Sequence, residues 1–106
     1  MSTNQGMSGI LKQAQRMQQQ ITRLQDEMAD RVIEASAGGG AVVAVVNGKQ
    51  QLVRLEIKPE VVDPSDIQTL TELVMTAVNL AADNAREMVE SEVNKITGGL
   101  SIPGLF

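Results

Sequence analysis

Residues 32–58 read VIEASAGGGAVVAVVNGKQQLVRLEIK, three runs rich in β-branched residues split by Gly38-Gly39-Gly40 and by Asn47-Gly48. Nothing else in the chain restricts its fold as much. Val32 to Ala37 alternates in part and stops at the three glycines; residues 41–46 (AVVAVV) form a strong strand pattern. Asn47-Gly48 then supplies the two residues with positive φ that a type I′ hairpin needs. In the returning run, Val53, Leu55 and Ile57 fall on one face and Arg54, Glu56 and Lys58 on the other. Pro59 ends it. The pattern predicts a three-stranded antiparallel meander.

Helical patterns flank the sheet. Ile10, Ala14, Met17, Ile21, Leu24 and Met28 recur in steps of four and three, which predicts a helix from Ser8 to Arg31 with Ser8 or Asn4 as cap. The second helix opens at Asp63-Pro64-Ser65-Asp66, with Asp63 as the expected cap and Pro64 in the first turn. Its apolar face runs from Ile67 through Leu70, Val74, Ala77 and Ala81 to Ile96, and Gly98-Gly99 stops it. The fold class is therefore α+β, in the order α-β-β-β-α with two long helices. Residues 1–106 make a single domain, with 1–7 expected to be mobile and 98–106 a short C-terminal tail. Three strands leave sheet edges unpaired, and joining an edge to a second copy is the expected remedy: a homodimer.

Composition removes whole classes of function. The 106 residues include no Cys and no His, and Phe106 is the only aromatic residue. Zinc and haem ligation, thiol chemistry and Ser-His or Cys-His catalysis are therefore excluded, and no cofactor or metal is expected. Recognition of single strands by base stacking is excluded too. No apolar run is long enough to span a bilayer and residues 1–9 carry no export pattern, so a cytoplasmic protein with no membrane partner is expected. Gly48-Lys49 lacks both the preceding Gly and the following Ser or Thr of a phosphate loop, and Gly38-x-Gly40 leads into a strand instead of a helix. Asp83, Glu87, Glu90 and Glu92 read as a solvated helix face. No nucleophile has a base beside it, so neither an enzyme nor a small-molecule substrate is expected.

Charge is uneven. The net charge is −4, yet residues 1–60 carry seven cations against six anions, and residues 1–25 hold three cations with no anion. At 100° per residue, Lys12, Arg16 and Arg23 fall within about 40° of one another and about 140° from the apolar stripe. They form a row spanning roughly 16 Å, flanked by amides that include Gln19 and Gln20. Such a row suits a phosphate backbone, with cations on phosphates and amides on sugar or phosphate oxygens. A merely solvated face is the alternative; the lack of interleaved Glu weighs against it.

LKQAQRMQQQI, AGGGAVVAVVNGKQQLVRLEIKPEVV, TELVMTAVNLAADNA and ITGGLSIPG, in that order, resemble the YbaB/EbfC family of bacterial nucleoid-associated proteins over nearly the whole chain. The resemblance implies a tweezer-like homodimer with a shared sheet that binds double-stranded DNA without strict sequence specificity. It also implies altered DNA conformation and a part in nucleoid organisation and regulation of gene expression. Lys12, Arg16, Arg23, Gln19 and Gln20 are the expected DNA-binding residues, chosen by charge and position within the region that the family uses. The competing reading is a protein-interaction module, such as a partner of recombination or repair proteins, that grips its target with the Gln-rich helix.

Overall fold

The computed structural model describes residues 2–98, with side chains from Gly6 onward. The order of elements is α1 (Ser2–Met28), β1 (Val32–Ala37), β2 (Val42–Asn47), β3 (Leu52–Ile57), a single 3-10 turn over Pro59–Val61, and α2 (Ile67–Thr97). The strands form one antiparallel sheet in the order β1-β2-β3. The α-β-β-β-α fold expected from the sequence is present.

Alternation in the strands decides how the sheet is covered. Ala35 pairs with Ala44 and Ala37 with Val42, which puts them on the face that meets α2. Against them α2 sets Ala77, Ala81 and Ala85, all fully buried. Alanines four residues apart let the helix axis come close to the sheet, while Val42 and Val46 fill the remaining volume. On the opposite face Glu34, Val45 and Arg54 lie abreast across the three strands. Arg54 reaches Glu34 at 3.3 Å over Val45, which is buried. Both partners of that ion pair are exposed, so it contributes at most about 1 kcal/mol.

Helix α2 lies across β1 and β2. It leaves β3 uncovered, and all six residues of that strand are exposed, including Leu52, Val53, Leu55 and Ile57. A bulge at the start of β3 leaves Val53 without a cross-strand partner.

Three local expectations are corrected. The Asn47-Gly48 turn is not type I′: Gly48 has no positive φ, and the residue in the left-handed region is Gln50, at φ 61°. Gln50 N–H donates to the Asn47 carbonyl at 2.9 Å and the Asn47 side chain accepts from Lys49 and Gln51, giving a three-residue loop with a left-handed last position. Gly48 is needed for a different reason. A Cβ there would overlap the carbonyl of Met28, where the hairpin presses on the end of α1. Gly48→Ala is accordingly expected to cost about 2–3 kcal/mol through a forced shift of hairpin against helix, measurable as a lower urea midpoint with an unchanged m-value.

The second correction concerns α2, which is capped by Asp66 rather than Asp63. Asp66 accepts from the Thr69 N–H and from its hydroxyl at 2.6 Å. Asp63 instead accepts from the Ser65 hydroxyl at 2.7 Å and the Ser65 N–H at 2.9 Å, closing a turn before the helix. Those two hydrogen bonds hold its carboxyl below the usual carboxylate range. Pro64 therefore belongs to the turn and not to the first helical position. Thirdly, α1 begins ahead of both candidate caps, at Ser2, and stops at Met28 rather than Arg31, where Arg31 N–H donates back to the Met28 carbonyl. The β-branched pair Val32-Ile33 needs extended backbone directly afterwards. The end of α2 is as expected: Gly98 is left-handed, at φ 64°, and donates to the Asn94 carbonyl.

Candidate nucleic-acid interface

Helix lengths place the charged row. At 1.5 Å per residue α1 is about 40 Å long and α2 about 46 Å, whereas the long axis of the molecule is 76 Å. The two helices therefore overlap only at their ends, where the stretch of α1 from Met17 to Met28, about 17 Å long, meets the body. Within the overlap Ile21, Met28, Val93 and Thr97 are buried. The rest of α1, from Ser2 to Arg16, projects as an arm of roughly 22 Å. Of the expected apolar stripe, only the part from Met17 to Met28 meets the body. Ile10, Leu11 and Ala14, farther out, are exposed.

Lys12, Arg16, Arg23, Gln19 and Gln20 are all exposed on α1. The helix brings all five onto one solvent-facing sector, Lys12 and Arg16 on the overhang and Arg23 at its root. None of the ion pairs among the described residues involves Lys12, Arg16 or Arg23. The cations of α2 differ: Arg86 meets Asp83 at 3.1 Å and Lys95 meets Glu92 at 2.8 Å, a contact that holds the Glu92 carboxyl below its ordinary value. Cations on α1 thus remain available to an outside anion, and those on α2 are already neutralised by neighbours one turn away.

The sequence reading did not single out where the row ends. Asp26 and Glu27 are exposed and share the sector of the three cations, just toward the body, and the exposed Asp30 follows in the turn after the helix. The arm therefore changes sign along its length, positive outside and negative at its base. Helical spacing could have revealed this, since Asp26 and Glu27 both lie within about 60° of the row's centre. A cleft of about 730 Å³ between the base of α1, the hairpin and α2 mixes Asp26, Lys49, Arg86 and Glu90, so it offers no single charge to a ligand. Among the described residues no three acidic, His or Cys side chains gather as a metal site, and no helix is long and apolar enough to cross a membrane.

The architecture defines a small α+β body with one projecting helix whose outer face is basic. Residues 3–100 match the model of the YbaB/EbfC DNA-binding family, and the chain belongs to that family. It is 54% identical over 100 residues to a nucleoid-associated protein of Thermoanaerobacter pseudethanolicus, covering 94% of this chain and 90% of the relative. A nucleoid-associated protein of Caldanaerobacter subterraneus subsp. tengcongensis is 51% identical over 100 residues, with the same coverage of both chains. Among solved structures, an uncharacterised protein of Helicobacter pylori superposes with a TM-score of 0.64 over 74% of this chain and 92% of its own, at 23% identity. That last likeness concerns the fold alone.

Proposed function

We propose that the protein is a nucleoid-associated homodimer of the cytoplasm that binds double-stranded DNA through its α1 arms without strict sequence specificity. Binding changes DNA conformation and contributes to nucleoid organisation and to the regulation of gene expression. The observation that carries this reading is the row of Lys12, Arg16 and Arg23, exposed and in no ion pair among the described residues, on a helix that projects from the body. Relatives named as nucleoid-associated proteins, at about half identity over nearly their full length, support it. The uncovered β3, apolar and exposed, supports the dimer, because an open edge of this kind pairs readily with a second copy.

Electrostatics sets the size of the effect. Three cations on each of two arms neutralise about six phosphates, which gives a slope of log K against log salt near −5. Affinity then falls roughly a thousandfold between ~50 and ~200 mM salt. The row offers only Arg and Gln for reading base edges, so discrimination between duplexes stays small. The test is an anisotropy titration on two unrelated duplexes across a salt series, alongside a mass measurement of the free protein. A steep slope shared by both duplexes, with a dimeric mass, is expected. Absence of binding even in dilute buffer would overturn the reading.

A further inference from the structure

The arm carries a second, apolar face. Met7, Ile10 and Leu11 are 59%, 66% and 59% exposed, and Ala14 is exposed beside them. They sit on the far side of α1 from the basic row. Their spacing is more regular than burial against a globular body requires. Met7, Ala14, Ile21 and Met28 are seven residues apart, and Ile10, Met17 and Leu24 fall between them, also seven apart. A strict seven-residue repeat is the seam by which one helix winds on another. The inner half of the seam has its partner: Ile21 and Met28 are buried, and Met17 and Leu24 half-buried, where α1 meets α2. Outward of Met17 the repeat continues, but no described element covers it.

We propose that the outer seam, from Met7 to Ala14, pairs with the same stretch of α1 from a second copy of the chain. The residues that flank the seam favour this occupant. Positions beside a coiled-coil seam choose the partner, and when they all carry one sign of charge they oppose pairing with an identical helix. Here those positions are Gly6, Leu11, Gln13, Gln18, Gln20 and Gln25, none of them charged. Identical helices therefore meet without repulsion whichever way they run, and amides can hydrogen-bond across the pair. A different protein would find no charge here by which to be selected.

Lys12, Arg16 and Arg23 lie on the side away from the seam, so in the pair the two basic rows face outward in opposite directions. That keeps like charges apart and leaves both rows open to solvent. The uncovered stretch is only about one and a half heptads long, so pairing is weak in dilute solution and has to be trapped rather than weighed. The inference does not rest on the DNA reading, and its failure would leave that reading untouched.

The chain has no Cys, so a single introduced thiol reports on one position. Ile10→Cys puts it at the middle of the uncovered seam, and Ser8→Cys puts it on the same turn but about 110° from the seam's centre. Both residues are exposed in the single chain, so circular dichroism should show the parent's fold in each variant. The probe is a short bis-maleimide, which bridges two paired thiols whichever way the helices run. Covalent pairs of chains are expected to form about tenfold faster for Ile10→Cys, because pairing raises the effective concentration of one thiol at the other. Adding Ala14→Glu, which sets two carboxylates in the seam, should bring that rate down to the Ser8→Cys level. Equal rates for the two single variants would overturn the proposal, as would an Ile10→Cys rate that Ala14→Glu leaves unchanged.

Discussion

Replacing Lys12, Arg16 and Arg23 together by alanine is expected to abolish most DNA binding while leaving the fold in place. The two halves of that expectation have separate causes. The three side chains are exposed and in no ion pair among the described residues, so each substitution costs within about 0.5 kcal/mol. Alanine is also the best helix former, which works against any loss of α1. Thermal unfolding followed by circular dichroism should show the parent's transition. DNA binding depends on the same residues through released counterions. Removing three phosphate contacts from each arm takes the salt slope from about −5 toward zero. The variant should therefore bind weakly at all salt concentrations and respond little to salt. Its separation from the parent should be greatest in dilute buffer, where the parent gains most. If variant and parent shift duplexes equally across the whole series, α1 is not the contact surface.

The three parts of the molecule were legible in the sequence to different degrees. The strands read well because alternation is a local property: β1 has the bounds its side chains imply, β2 is displaced by a single residue, and β3 is one residue shorter at each end than the run 51–58. The basic row was legible for a similar reason, since helical spacing alone puts Lys12, Arg16 and Arg23 on one sector. What escaped was set by contacts between distant residues. Gly48 looks like the second half of a type I′ turn until the Met28 carbonyl is brought against it. Asp63 and Asp66 are both plausible caps, and the choice falls to whichever carboxylate faces the free N–H of Thr69. The stripe on α1 was visible as a pattern, but its covered extent depends on how far α2 overlaps it, which no local spacing records. β3 shows the same limit: its alternation resembles that of a half-buried strand, yet α2 is too narrow a cover to reach it.

The uncovered strand leads to the second large effect. Leu55 pairs with Ala44 and Ile57 with Val42, so both point to the side where α2 covers β1 and β2 but not β3. They are 37% and 38% exposed in the single chain. In a dimer joined at this edge they are covered, and lysine at both positions would place two ammonium groups where the copies meet. Lysine is also the residue with which natural edge strands discourage pairing. Leu55→Lys with Ile57→Lys is therefore expected to give a monomer by light scattering, with the circular dichroism of the parent. Val53→Lys, at a residue 52% exposed and without a strand partner, keeps the test open should the double variant unfold. DNA binding gives the sharper reading. A monomer has one arm and about three phosphate contacts, so its slope should fall to about −3. Over the salt range in which the dimer loses roughly a thousandfold, the monomer should lose only tens-fold. Affinity in dilute buffer should fall as well, because the second arm no longer binds as an intramolecular event. A monomeric variant that kept the parent's slope would mean that the two arms never share a duplex.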